Sequence, residues 1–226
     1  MIALVSTYEL GRQPFGLASP AAWLTRAGLD VTCLDLSRQS FDVSIAEADL
    51  VAFHLPMHTA TRLAVPVIKR LRELNPSIQI CGYGLYARLN EAFLRSLGVS
   101  HIFGAEYEAD LVRLAMGESP LTTREGVIQR LKFVTPNRDK LPHLTEYATL
   151  QYGTHRRVVG YTEASRGCKH TCRHCPIVPV YGGQFRIVPV EVVVEDLERQ
   201  IAEGAEHVTF GDPDFFNGIG LSLIHI

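Results

Sequence analysis

Residues 2–36 read IALVSTYELGRQPFGLASPAAWLTRAGLDVTCLDL, and this stretch predicts the architecture of the first half of the chain. It begins with an apolar run at Ile2–Ser6, continues with a helix-like pattern over 20–27 that stops at Gly28, and ends with a second apolar run over 31–36. Short apolar runs bounded by polar residues are typical of buried strands, and glycine commonly ends a helix. The stretch therefore predicts a strand, a helix and a second strand.

The same alternation continues to about residue 116. Further strand-like runs cover 50–55, 78–82 and 101–103, and further helix-like stretches cover 59–75, 91–97 and 108–116. Strands that alternate with helices through short connections favour a doubly wound, parallel α/β sheet of the Rossmann or flavodoxin type. Sheets of this kind bind ligands at the carboxyl ends of their strands.

Composition narrows the class of protein. The chain has 226 residues, 46% of them hydrophobic, with a mean hydropathy of +0.08, which is typical of a globular protein with one large domain or two smaller ones. Its 22 basic and 24 acidic residues give no field that would gather nucleic acid. The start lacks the basic region of a signal peptide, and no apolar run approaches the roughly 20 residues of a membrane span. We expect neither a nucleic-acid nor a membrane partner.

Three of the five cysteines lie in one short stretch, SRGCKHTCRHCP at residues 165–176. They are Cys168, Cys172 and Cys175, at spacings of four and three residues. Three thiolates in one loop, with no fourth cysteine nearby, suit a cubane iron–sulfur cluster that leaves one iron open to a small molecule. Exposed cluster thiolates also need a reducing compartment, so the sequence predicts a cytoplasmic protein.

A structural zinc site is the alternative, with His170 or His174 as its fourth ligand. Closed zinc sites usually take two further, closely spaced ligands from well downstream. Downstream of the cysteines this chain has no cysteine and only the isolated His207 and His225. The spacing therefore favours the iron–sulfur cluster, while a zinc-stabilised binding module without catalysis stays open.

The cysteine stretch resembles the cluster loop of the radical S-adenosylmethionine (radical SAM) enzymes. The strand-like run at 157–164, the helical stripe at 190–201 and the run at 207–211 resemble the beginning of the radical SAM barrel. The resemblance implies an enzyme in which the three cysteines hold a 4Fe–4S cluster and S-adenosylmethionine chelates the open iron. One electron, from a donor such as flavodoxin or ferredoxin, would then cleave the sulfonium to a 5′-deoxyadenosyl radical. The difficult chemistry in such an enzyme belongs to the cofactors.

The resemblance also implies residues that contact S-adenosylmethionine. His174 stands just before the last cysteine, where the family usually has an aromatic ring near the adenine. Asp212 and Asp214 lie in GDPDFF at 211–216, where cobalamin-linked relatives carry a similar acidic motif, and could face the amino group or the ribose. Turn formation by the Asp-Pro-Asp sequence is an equally good explanation. The basic residues Arg166, Lys169 and Arg173 would offset the charge of the cluster.

The first domain resembles the cobalamin-binding domain that precedes the barrel in many radical SAM enzymes. By analogy, cobalamin would lie over the strand ends, near Thr7, His54, Met57, Gly82, Gly84, Gly104 and Glu106. The Asp-x-His-x-x-Gly motif, which supplies an axial histidine in other cobalamin domains, is absent. Two interpretations follow: the domain binds cobalamin without that ligand, or it is a flavodoxin-like domain that binds nothing. His54 and His58 could approach the cobalt, or they are loop or core histidines with no ligand role.

We therefore expect a cobalamin-binding-like domain at 1–116, a connecting segment at 117–156 and the first part of a radical SAM barrel at 157–220. A full barrel has six strand–helix units, and this sequence reaches only the second strand. Residues 221–226 are expected to be a non-native tail after a truncated reading frame. Within the superfamily, the chain resembles uncharacterised proteins with a Cys-rich or selenocysteine-containing tail.

The reaction follows only from the resemblance. It implies methylation of an unactivated carbon through methylcobalamin, with ring formation or rearrangement as alternatives. The substrate, a small molecule or a peptide, cannot be inferred, because the residues that contact it would lie largely beyond the second barrel strand.

Overall fold

A parallel sheet of five strands forms the first half of the molecule, in a computed structural model that describes residues 1–121, 128 and 130–217. The spatial order is β2-β1-β3-β4-β5, and all four neighbouring pairs are parallel. The strands are β1 (Ile2–Ser6), β2 (Val31–Asp35), β3 (Leu50–His54), β4 (Ile80–Tyr83) and β5 (His101–Phe103). The chain therefore reverses direction across the sheet between β1 and β3, the position at which such sheets form a ligand crevice.

Helices cover both faces of this sheet. They are α1 (Phe15–Arg26), α2 (His58–Leu74), α3 (Leu85–Leu89), α4 (Glu91–Ser96) and α5 (Glu108–Ala115). One core cluster takes Leu17 from α1 and Leu111 from α5, and the other takes Ile68 from α2 and Leu94 from α4. The predicted doubly wound α/β fold is confirmed.

Helix α1 begins five residues earlier than the sequence predicts. The pattern places its start at Pro20, because proline favours the first turn of a helix, but the helix starts at Phe15 and Pro20 lies inside it. An internal proline leaves the carbonyl four residues earlier without its helical donor. That carbonyl belongs to Gly16, and it accepts a 2.7 Å hydrogen bond from the Tyr83 hydroxyl. A tertiary contact thus makes the longer helix possible, and the prediction was wrong.

The second half begins the barrel-like part. Strand β6 (Thr149–Tyr152) pairs antiparallel with β7 (His155–Thr162), and β7 pairs in parallel with β10 (His207–Phe210) through α7 (Val190–Ala202). This strand, helix and parallel strand match the sequence expectation. A hairpin of β8 (Ser165–Gly167) and β9 (Phe185–Ile187), with the short helix α6 (Val178–Tyr181) between them, was not predicted.

The connecting segment joins the two halves through Arg138. Its buried guanidinium makes two hydrogen bonds of 2.9 Å to the Asp196 carboxylate on α7. It also donates to the Gln13 side chain at 2.8 Å and to the Tyr161 carbonyl at 2.7 Å. One side chain of the connecting segment therefore binds the first domain, strand β7 and helix α7 at the same time.

The residues predicted as a non-native tail, 221–226, lie outside the described residues, as do 218–220 at the end of the predicted barrel portion. Within the described part of the chain, no helix is both long enough and apolar enough to cross a membrane.

Candidate functional site

The three cysteines lie in the loop that leaves β8 and enters α6. Cys168 directly follows β8 and is half-buried, Cys172 is exposed, and the Cys175 amide donates to the Cys172 carbonyl at 3.2 Å. In the described residues, no three or more His, Cys, Asp or Glu side chains converge where a single ion could be held. A cubane cluster spaces its thiolates more widely than one ion does, because each binds a different iron. Three half-buried to exposed thiols in one loop fit that donor set.

Cys168 has the most defined surroundings of the three. Its thiol donates to Asp214 Oδ2 at 3.1 Å, and its sulfur accepts from the His170 amide at 3.4 Å. Burial raises the pKa of Cys168, the His170 amide opposes this, and the Asp214 carboxylate raises the pKa further. The thiol is therefore held in its neutral form next to a carboxylate that can accept its proton when a metal binds.

The residues predicted to contact S-adenosylmethionine have different environments. Asp212 accepts a 3.1 Å hydrogen bond from the Ala164 amide and another from the Ser165 hydroxyl, so it joins the end of β10 to the corner between β7 and β8. Asp214 lies against Cys168, and His174 is exposed in the cysteine loop. The structure thus brings Asp214 to the cysteines and places Asp212 at the corner from which their loop leaves the sheet.

The residues predicted near cobalamin all lie at the carboxyl edge of the parallel sheet. The Thr7 hydroxyl donates to the Ala60 carbonyl at 2.8 Å, and Met57 is half-buried at the start of α2. The remaining positions are Gly82, Gly84, Gly104 and Glu106. Gly84 has a φ of 99°, which favours glycine, whereas Glu106 has a φ of 50°, which is strained for a residue with a side chain.

His54 is enclosed by the protein. Its side chain is 8% exposed, its ring lies 5.3 Å from the Tyr83 ring, and Nδ1 is 3.2 Å from Glu9 Oε2. A Cβ added to Gly16 would stand 2.1 Å from the ring, so Gly16 provides the space that the imidazole occupies. His54 therefore packs inside the first domain, whereas His58 is exposed.

Buried polar atoms without a hydrogen bond are concentrated at this edge. In the described residues they include Ser6 Oγ and both carboxyl oxygens of Glu106, while Glu9 Oε2 and His54 Nδ1 lie 3.2 Å apart without the geometry of a hydrogen bond. Buried polar atoms are normally satisfied, and an exception at a predicted ligand edge points to a missing polar partner. The edge thus fits a ligand rich in hydrogen-bonding groups.

The sequence missed the role of Arg166. We expect its charge to offset that of a cluster, but the side chain is 6% exposed and points into the junction with the first domain. It forms hydrogen bonds of 3.0 and 2.7 Å to Glu108, lies 3.1 Å from Glu163, and stands 3.6 Å from Glu106. The expectation was therefore wrong: local carboxylates balance this charge. The one signal in the sequence is that Arg166 lies two residues before the first cysteine of the loop.

The carboxylates around Arg166 are not equivalent. Burial raises the pKa of Glu106 to about 7, although the Arg166 guanidinium opposes the rise. Burial acts in the same direction on Glu108, but the charge and hydrogen bonds of Arg166, with a hydrogen bond from Ser19, outweigh it and lower the pKa of Glu108. Glu108 is therefore the ionised partner of Arg166, whereas burial raises the pKa of Glu163, like that of Glu106, to about 7.

No protein-family model matches the chain. A curated relative, tRNA-2-methylthio-N(6)-dimethylallyladenosine synthase from Fusobacterium nucleatum, is 26% identical over 125 residues, which cover 50% of this chain and 27% of the relative.

Two solved structures are similar over nearly the whole chain. Both are of TsrM, a radical S-adenosylmethionine methyltransferase from Kitasatospora setae, one with cobalamin and a [4Fe-4S] cluster bound and the other with tryptophan substrate and a SAM analogue. Each has a TM-score of 0.68 and 18% identity, and covers 98% of this chain but 49% of the TsrM chain. The chain thus has the fold of the corresponding part of TsrM and spans about half of its length.

Proposed function

We propose that this chain belongs to a radical S-adenosylmethionine enzyme in which Cys168, Cys172 and Cys175 hold a 4Fe–4S cluster. The observation that carries the proposal is the cysteine loop itself, placed between β8 and α6 at the base of a fold that resembles TsrM. The distant likeness to a methylthiotransferase-type synthase supports the same superfamily.

A bound cluster would supply the electron that cleaves S-adenosylmethionine to a 5′-deoxyadenosyl radical. The chain's own residues have preparatory roles. Asp214 takes up the proton that Cys168 must lose to become a ligand. Asp212 fixes the corner at Ala164 and Ser165 from which the loop leaves the sheet. We also propose that His174, Asp212 and Asp214 contact S-adenosylmethionine.

We propose further that the first domain holds cobalamin at its carboxyl edge. The atoms of Ser6 and Glu106 that have no hydrogen bond support this, because the corrin ring is surrounded by amide groups that donate and accept hydrogen bonds. Thr7, Met57, Gly82, Gly84 and Gly104 would line the same edge. The reaction would then be a methyl transfer to carbon in a small molecule or peptide.

The partners follow from this chemistry. A cluster that must be reduced needs an electron donor, which we propose to be a flavodoxin or ferredoxin. We propose a cytoplasmic location, because cluster thiolates must stay reduced.

The test is anaerobic reconstitution of the chain with iron and sulfide. We expect about four irons and four sulfides per chain and a broad absorption band in the visible region, all lost when the three cysteines are replaced by alanine. Replacing Cys33, which is buried in β2, with alanine should leave the iron content unchanged. Stoichiometric zinc with no sulfide would contradict the proposal.

A further inference from the structure

Arg166 is buried in the interior and lies close to Cys168, the first of the three cysteines. It lies in β8, two residues before Cys168, and its side chain leaves the barrel-like part to enter the first domain. There it meets Glu108, the first residue of α5, through two hydrogen bonds of 3.0 and 2.7 Å. Paired hydrogen bonds between a guanidinium and a carboxylate fix orientation as well as distance.

Ser19 completes this contact. Its hydroxyl donates to Glu108 Oε1 at 2.6 Å and accepts from Arg166 at 3.3 Å, so helix α1 also takes part. Aromatic rings enclose the guanidinium, with its central carbon 5.3 Å from the Phe133 ring, 5.7 Å from Tyr107 and 5.9 Å from Phe15. An arginine held by a planar fork and by ring faces has little freedom to move.

The short path from Arg166 to Cys168 is also constrained. The single residue between them, Gly167, has a φ of 74°. A Cβ at that position would stand 2.3 Å from the Gln184 carbonyl and 2.5 Å from the Tyr181 ring. The backbone at Gly167 thus has no room for a side chain between the Gln184 carbonyl and the Tyr181 ring of α6. Cys172, further along the loop, is exposed.

We propose that Arg166 is a positioning residue, through which Glu108 and Ser19 of the first domain hold Cys168 in place. The identity of Cys168 as a cluster ligand rests on the function proposed above, but its restraint by the first domain does not. The first domain would thereby do more than bind a ligand: it would set the position of one of the three thiolates. The two other cysteines, in the more exposed part of the loop, would adjust to the cluster.

The experiment measures the alkylation of Cys168 by iodoacetamide in the reduced, metal-free chain, with Cys172 of the same molecules as the internal reference. Peptide mass spectrometry gives the ratio of the two rates. We expect Glu108→Gln to raise the Cys168 to Cys172 ratio by roughly threefold or more, because the anchor of the loop opens more often. Ser19→Ala, which keeps every charge, should raise it in the same direction, and so should Arg166→Lys, which keeps the charge but loses the fork.

Matched controls come from a different buried contact, which joins the first domain to the connecting segment. The Tyr147 hydroxyl donates to Asp35 Oδ2 at 2.9 Å, and Asp35 lies in β2, at the opposite edge of the sheet from β5, which precedes Glu108. Asp35→Asn and Tyr147→Phe should leave the ratio unchanged. Far-ultraviolet circular dichroism verifies that each variant is folded, and the mild Ser19→Ala change serves if Glu108→Gln does not fold.

A ratio that stays at the wild-type value in folded Ser19→Ala and Arg166→Lys would overturn the proposal. An equal rise in the Asp35 and Tyr147 controls would also overturn it, because general loosening of the domains would then explain the effect. Failure to incorporate iron would contradict the proposed function and leave this comparison valid, since the alkylation experiment uses no metal.

Discussion

The Tyr83 hydroxyl donates a 2.7 Å hydrogen bond to the carbonyl of Gly16, one turn before Pro20 in helix α1. Tyr83 is fully buried, and its ring also packs against that of His54. A side chain from β4 therefore replaces the backbone donor that proline removes, and lets α1 begin next to the carboxyl edge of the sheet.

This relationship predicts the effect of Tyr83→Phe. The substitution leaves the Gly16 carbonyl buried without a donor, so the free energy of unfolding should fall by about 1–3 kcal/mol. Replacing Pro20 with alanine returns an amide to that carbonyl, so Tyr83→Phe should cost less in the Pro20→Ala background. Urea denaturation of the four proteins measures the coupling.

An equal loss in the free energy of unfolding in both backgrounds would show that the Gly16 carbonyl is not the cause. Tyr152→Phe, on the exposed strand β6, is the control, with an expected change within about 0.5 kcal/mol.

The sequence predicts elements better than it predicts polar contacts between them. Strands β1 and β5 have the predicted bounds. Strands of a parallel sheet are short apolar runs, so they can be recognised from neighbouring residues alone. The start of α1 depends on Tyr83, 67 residues away from Gly16, and a local pattern cannot contain it. The same holds at the site: the spacing of the cysteines is local, whereas the contact of Arg166 with Glu108 spans 58 residues.

The buried ion pair of Arg138 and Asp196 predicts a large loss of stability when one partner is changed. Their side chains are 2% and 1% exposed. Asp196→Asn leaves a buried guanidinium without its counter-charge, so the free energy of unfolding should fall by about 3–5 kcal/mol. The double change Arg138→Met and Asp196→Leu should cost less than Asp196→Asn alone, because no charge is then left unpaired.

Chemical denaturation compares these variants with Glu195→Gln, which breaks an exposed pair with Arg199 on the same helix. Both members of that pair are 50% exposed, so its loss should cost no more than about 1 kcal/mol. Similar losses for Asp196→Asn and Glu195→Gln would contradict the role given to the Arg138 contact.

Glu106 predicts a pH dependence of stability. Its pKa is raised by burial from an ordinary value of 4.5 to about 7 in the folded chain, among the charged and titratable groups Arg166, Glu108, Arg186 and Tyr181. The folded state therefore holds a proton that the unfolded state loses first. The resulting stabilisation is complete below the unfolded pKa and is lost as the pH rises through about 7.

The wild-type melting temperature should accordingly fall between about pH 5 and about pH 8, and Glu106→Gln should reduce that fall by an amount equivalent to up to about 3 kcal/mol. Differential scanning calorimetry across this range measures both slopes. Glu198→Gln, at an exposed position on α7, should keep the wild-type slope. A steeper fall in Glu106→Gln would reverse the sign and show that the carboxyl is ionised in the folded protein.

His54 predicts how the first domain would hold cobalamin. The ring is enclosed by Gly16, Tyr83 and Glu9, so it cannot reach a cobalt above the sheet without leaving this packing. Hydroxocobalamin added to the full chain should therefore bind without an imidazole ligand from the protein, and His54→Ala should leave the visible spectrum of the bound cobalamin unchanged.

Equilibrium dialysis measures retention and separates binding from coordination. His58→Ala, which changes the exposed histidine after β3, is the matched control. A spectrum of imidazole-bound cobalamin that disappears only in His54→Ala would show that the ring moves out to the metal. Absence of retention in the wild type would instead favour a first domain that binds no cobalamin.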